Sequence, residues 1–251
     1  MGRSSAWRLL GAALLIVSLA APAVAQERPE NVLQVTPYLW FTGSGGTFRP
    51  FEGGPTLEVD NSFSDLLGDL DAAFFVSGLV RSGRFVLIGD FSYASVSRDG
   101  TVPVPGFGPA PAEGRLRQTS FTLASGYRVV DAAQGTLDLL AGARAWWVRA
   151  DVDLAGVIQR SPRLDFVDPI IAARGNVSIA PGWSAIGYAD IGGFGAGSES
   201  TYQVLGSINF RAAERVFLSA GYRHLAVDYR DGGTRVDMQM SGPLIGATLR
   251  F

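Results

Sequence analysis

The chain has 251 residues, no cysteine and a formal net charge of −2. Without cysteine there is no disulfide, lipid-bearing thiol, thiolate nucleophile or zinc–thiolate site. The slightly acidic balance argues against a nucleic-acid binder, which needs a basic patch to neutralise phosphates.

Met1–Ala25 starts with Arg3 and Arg8, continues through the apolar run Leu9–Ala20 and ends on Ala23-Val24-Ala25. A charged start, an apolar middle and an A-x-A site predict a secretory signal peptide. The run falls short of the roughly 20 residues that a spanning helix needs. Residues 26–251 are then the mature domain, with 19 basic and 23 acidic side chains once Arg3 and Arg8 are gone, a formal charge of −4. Every basic residue is arginine. No later run of about 18 apolar residues occurs, which excludes a helical membrane protein.

Leu33–Phe41 alternates, with Leu33, Val35, Pro37, Leu39 and Phe41 on one face and Tyr38 and Trp40 on the other. Gly43–Gly54 reads as a loop and Thr56–Phe63 as a short strand extension. Phe63, Leu66, Leu67 and Leu70 fall at helical spacing behind Ser62 or Ser64, which predicts a short amphipathic helix over Ser64–Leu70 in the first long loop. Phe74–Arg81 and Arg84–Ser95 form a hairpin about Ser82-Gly83. Asp99–Ala112, the longest Gly/Pro stretch, reads as a loop. Leu116–Arg128 and Thr136–Val148 flank a short turn, and another loop lies around Ala155–Arg163. Phe166–Ser178 and Trp183–Phe194 flank Ala180-Pro181-Gly182. A brief loop at Gly197–Ser200 leads to Tyr202–Phe210, then Val216–Tyr229. Asp231-Gly232-Gly233 turns the chain into a last strand in which Pro243, Ile245, Ala247, Leu249 and Phe251 make an unbroken apolar row.

The tally is about ten strands, with eight or twelve the nearest other counts. Long connections fall on the first, third, fifth, seventh and ninth. An all-β, single, antiparallel up-and-down transmembrane barrel has this layout, with an even strand number and short turns at one end. In lipid the sheet must close, because an open edge would leave backbone groups unpaired. A soluble β-sandwich is the structural alternative.

Several stretches carry a resemblance: Pro37-Tyr38-Leu39-Trp40, Ser62–Leu67, Gln134–Arg144, Tyr188–Phe194, Gly221-Tyr222-Arg223 and Ser241-Gly242-Pro243-Leu244. They look like a family of uncharacterised Gram-negative outer-membrane β-barrel proteins, and the layout is loosely similar to small OmpA-type and OmpW-type barrels. The terminal Phe251 resembles the end that the barrel-assembly machinery reads in such proteins. The resemblance implies an outer-membrane location with periplasmic termini, and outer-membrane lipid, periplasmic chaperones and the assembly machinery as partners. It implies no activity.

Charges within the strands follow a pattern. Gly126/Arg128, Gly142/Arg144, Ala172/Arg174 and Gly221/Arg223 each place a small residue two positions before an arginine. The faces opposite carry rows such as Leu137, Leu139, Ala141 and Ala143, which look lipid-facing. These arginines are therefore expected to point inward, with Arg81, Asp90, Asp138 and Asp190, since a charge on the lipid face costs about 2–4 kcal/mol near the midplane. The expected result is an Arg–Asp network filling the lumen. A structural or surface-interaction barrel is the first functional reading, and a narrow path for small solutes the alternative. Trp40, Trp147, Trp183, Tyr93, Tyr127 and Tyr222 read as interfacial aromatics, whereas Trp146 shares the face of Arg144.

No enzyme is expected. His224, the one histidine, reads as an outward interfacial side chain beside Leu218, Ala220 and Tyr222. Asp228 is too far along the strand to pair with it, and Ala226 stands where one type of barrel lipase places a serine. No Gly-x-Ser-x-Gly elbow, phosphate loop or zinc-ligand spacing occurs, and no cofactor or metal is implied.

Overall fold

The computed structural model describes residues 31–49, 57–61, 70–104, 108–154 and 158–251. The leader and positions 64–69 of the expected helix lie outside these; Leu70 is already strand. The strands are β1 (Asn31–Trp40), β2 (Gly43–Arg49), β3 (Leu57–Asn61), β4 (Leu70–Ser82), β5 (Phe85–Val104), β6 (Gly108–Ala132) and β7 (Gly135–Leu154). They continue with β8 (Ile158–Arg160), β9 (Arg163–Ala180), β10 (Trp183–Gly193), β11 (Ser200–Arg211), β12 (Val216–Asp231) and β13 (Thr234–Arg250).

Ten of them close a ring in the order β1-β4-β5-β6-β7-β9-β10-β11-β12-β13, and β13 pairs back onto β1. All the pairings are antiparallel, and Gln34 opposite Arg250 marks the seam. The sandwich is excluded because the ring has no free edge. Turns such as Gly83-Arg84, one residue later than expected because Ser82 still pairs with Phe85, lie at one end, called here the turn end, where Gly83 takes φ 55°. The other, loop end carries the longer connections. The short strands β2, β3 and β8 extend the sheet there.

Three expected loops are paired backbone over their described parts, 43–49, 99–104 with 108–112, and 158–160, while 50–54, 105–107 and 155–157 lie outside the described residues. Gly43–Arg49 lies antiparallel to Arg235–Ser241. That edge of β13 rises past the end of β1, and the glycine-rich segment satisfies it. A Cβ on Gly46, whose φ is 144°, would collide with the Asp237 carbonyl, so only glycine lies this close. In Asp99–Ala112, β5 and β6 remain paired up to Val104 opposite Gly108. Pro103, Pro109 and Pro111 are tolerated because this part of the ribbon has outgrown its other neighbours. The β4 partner stops at Val96 and the β7 partner at Ala112, so each segment is an edge strand, with one side that needs no N–H donor.

Alternation decides which side chains face out. Leu39, Phe74, Leu123, Ile171, Val204 and Ile245 lie on the outer surface of six different strands, each roughly half exposed. Leu33, Leu39, Ile245, Leu249 and Phe251 all face outward, and Tyr38 and Leu244 between them are buried. Tyr127, Trp147, Trp183 and Tyr222 are also exposed. Trp40 departs from the girdle expectation. It is buried in the lumen, because it shares the face of Tyr38 and there meets a guanidinium.

Gly142 shows why small residues sit below the inward arginines. A Cβ there would strike the Leu123 carbonyl and Ala124 on the neighbouring strand. Gly142→Ala should destabilise the barrel by about 1–3 kcal/mol, as overpacking typically does. A lower denaturant midpoint for refolded protein would show it; an unchanged midpoint would show that the strand relaxes freely.

Candidate functional site in the barrel lumen

Going up β7 from the turn end, the inward side chains are Asp138, Leu140, Gly142, Arg144 and Trp146. On β12 they are Ser219, Gly221, Arg223, Leu225 and Val227. Both walls therefore carry an arginine at mid-height with apolar side chains above it.

Near the turn end, Arg128 Nε donates to Asp138 Oδ1 at 2.7 Å and its Nη2 to Oδ2 at 3.3 Å. Arg174 reaches the same carboxylate at 3.5 Å. Arg81 is buried and donates from Nη1 to the Gly83 carbonyl at 2.8 Å.

At mid-height a second system spans the barrel. Arg144 grips Asp190 bidentately, Nη1 to Oδ1 at 3.1 Å and Nη2 to Oδ2 at 2.6 Å. It also donates to Thr122 at 3.0 Å, Thr201 at 3.3 Å and Gln203 at 3.5 Å. Gln203 Oε1 also accepts from Arg223, with Nη2 at 2.7 Å and Nε at 3.1 Å. Arg223 donates from Nη1 to the Tyr38 hydroxyl at 2.6 Å and from Nη2 to Asp90 at 3.2 Å. Tyr38 in turn donates to Asp90 at 2.8 Å. The guanidinium face of Arg223 lies 4.6 Å from the Trp40 ring centroid, a cation–π contact. The line Asp190–Arg144–Gln203–Arg223–Asp90–Tyr38 thus joins β10, β7, β11, β12, β5 and β1.

Above this line Trp40, Phe75, Trp146, Leu225, Val227 and Met240 form an apolar cluster, with Phe166 packed against it. Phe166 stacks on Trp146 and meets Tyr229 at a centroid distance of 4.7 Å. Below the line lies a cavity of ≈ 170 Å³. Tyr38, Asp90, Thr122 and Arg223 border it, together with Gln34, Thr36, Ser207, Asn209 and Ser219. Leu79, Ile88, Ile186 and Leu205 also line it, and Leu79, Val86, Ala124, Leu140 and Ile170 form a second apolar cluster on this side. The lumen is therefore hollow, with a mixed lining, toward the turn end and packed toward the loop end.

Of the eight charges expected in the lumen, Arg128, Asp138 and Arg174 form one cluster and Asp90, Arg144, Asp190 and Arg223 the other, while Arg81 sits at a turn. The sequence reading missed Tyr38, Thr122, Thr201, Gln203 and Asp168. Asp168 is fully buried and accepts from the Ser198 amide at 2.6 Å. It could have been found by counting back in twos from Arg174. Gln203 gave no comparable signal, since a lone amide in a strand carries no sign of what it bridges.

His224 faces outward. Its Nδ1 is 2.6 Å from Ser241 Oγ and its Nε2 3.1 Å from the Tyr202 hydroxyl. Asp228 is held instead by Arg230, at 2.8 Å. Among the described residues no cluster of three or more His, Asp or Glu could hold a metal.

The closed ring can be set beside solved structures. The outer-membrane protease OmpT of Escherichia coli superposes with a TM-score of 0.56 at 12% identity, covering 89% of this chain and 97% of that one. The translocator domain of the autotransporter NalP from Neisseria meningitidis gives 0.51 at 10% identity, covering 90% of each. The fold is that of the outer-membrane β-barrels. At such identities the likeness concerns the fold alone. No family model and no curated relative matches the sequence.

Arg144→Leu would leave Asp190 buried without its partner, a change that costs about 3–5 kcal/mol. The double variant Arg144→Leu/Asp190→Leu should recover much of that loss. Urea midpoints of the refolded barrels check both; a single variant as stable as the parent would remove the network from the stability argument.

Proposed function

We propose that this chain is an integral outer-membrane protein, exported by the Met1–Ala25 leader, whose sealed barrel serves a structural or surface-interaction role. The observation that carries the reading is the closed ring with half-exposed apolar side chains around its outside. A continuous apolar belt in water would drive association; in a bilayer it is satisfied. The motifs around Pro37–Trp40, Gln134–Arg144 and Gly221–Arg223 support membership of the uncharacterised outer-membrane barrel family that they resemble.

The state of the lumen supports a closed barrel. Barrels of about eight strands are filled by their own side chains, whereas porins with about sixteen keep a channel. Here the fixed ion pairs and the Trp40–Trp146–Phe166 layer lie in series. The cavity below them, bordered by Asp90, Arg174 and Arg223 among apolar side chains, favours, as the second reading, a narrow path for small solutes entered from the turn end.

Single-channel recording of the refolded mature protein in a planar bilayer separates these readings. The sealed barrel predicts no steady openings, and Trp146→Ala should introduce them by thinning the apolar layer. Reproducible openings of the parent, altered by Arg223→Gln, would establish the solute path instead. Deleting Phe251 should lower the yield in the outer membrane if that residue is the assembly signal; normal yield would dismiss that role.

A further inference from the structure

The outer surface carries a second arrangement of arginines, which the lumen does not explain. In register across three adjacent strands, Arg117 of β6 stands opposite Arg149 of β7, and Arg149 opposite Arg163 of β9. All three share the outward parity of Phe121, Trp147 and Val167, which are exposed. Neighbouring strands are about 4.8 Å apart, so the row spans about 10 Å. Like charges directly opposite one another destabilise a sheet, so the row needs a compensating anion.

The described residues supply only part of it. Asp151 is shared, 2.8 Å from Arg117 and 3.9 Å from Arg149. Arg149 Nε is buried and has no hydrogen-bond partner, and Arg163 makes no hydrogen bond or ion pair among the described residues. Asp165 is exposed on the same face as Arg163. Asp71 acts on Arg117 of the row but is held mainly by other groups. It accepts from Ser97 at 2.6 Å and Ser95 at 3.0 Å and lies 3.7 Å from Arg115. The Ser97 hydroxyl first, against the opposing effect of desolvation, and then Ser95 and the arginines Arg115 and Arg117 hold its carboxyl below the ordinary range.

The height of the row selects the anion. Each arginine lies two to four residues beyond the last apolar outward side chain of its strand: Phe121, Trp147 or Val167. At about 3.3 Å per residue and a tilt of about 40°, that is about 5–10 Å along the barrel axis. The headgroup layer outside the hydrocarbon is about 5–7 Å deep on each side. Guanidinium forks bind phosphate bidentately, and arginine is the residue suited to that geometry.

We propose that Arg117, Arg149 and Arg163 bind the phosphate groups of a phosphorylated lipid headgroup in the leaflet at the loop end. The proposal rests on the membrane placement above, which the same experiment reads separately. The mature protein is refolded in detergent, and its folding and insertion are checked by the heat-dependent gel shift and by co-flotation with vesicles. Binding is then measured for a bis-phosphorylated glucosamine-disaccharide lipid and for its dephosphorylated form. The parent should bind the phosphorylated lipid at least tenfold more tightly, with affinity falling as salt rises. R117Q/R149Q/R163Q should lose that preference yet still float with vesicles, while R84Q/R215Q, at the turn end, should keep it. If the triple variant does not fold, R163Q alone carries the test, since Arg163 loses no hydrogen bond or ion pair to a described residue. Equal binding of the two lipids, or an unchanged preference in the folded triple variant, would overturn the proposal. Failure of the parent to float would instead overturn the membrane placement.

Discussion

The shared acceptor Gln203 Oε1 ties the interior together. Two buried guanidiniums converge on it, each also held by its own carboxylate. Removing charges from water is costly, and the cost is recovered only when nearly every donor is matched. Arg144 and Arg223 meet that condition: both spread their N–H groups over a carboxylate, an amide oxygen and hydroxyls. The residues that make room for them follow from this. Gly142 and Gly221 stand one pair below the arginines, where a Cβ would strike the neighbouring backbone.

The interior and exterior solve opposite versions of one problem. Inside, charges are buried and must be paired by the protein. Outside, the apolar belt needs no pairing, and the first charged residues beyond it are only partly matched. Trp147 and Arg149 are two residues apart on one strand and mark the change from one regime to the other.

The barrel was legible in the sequence because period-two alternation repeats in every long strand, so errors in one strand do not affect the count. The inward arginines were legible for the same reason, since parity against an apolar row needs no knowledge of neighbours. What could not be read was register. Which aspartate meets which arginine depends on how ten strands stagger around the ring. Arg144 takes Asp190 from β10, two strands away, although Asp168 lies directly opposite it on β9. Trp40 was misplaced because its position near a strand end suggested an interface, while its parity with Tyr38 pointed inward. Residues 43–49, 99–104 and 108–112 were misread as loop because Gly and Pro also suit edge ribbons.

The bond from Arg223 to Tyr38 joins residues 185 positions apart in the chain. Neither that bond nor the seam between Gln34 and Arg250 can form until the last strands have been made and laid against the first. The mid-height network is therefore a late event of high contact order, reached only after loop entropy has been lost. The same topology works in reverse. Opening the ring at the seam must also release the Arg223 bridge, so the folded state is guarded by a rate as well as by an equilibrium.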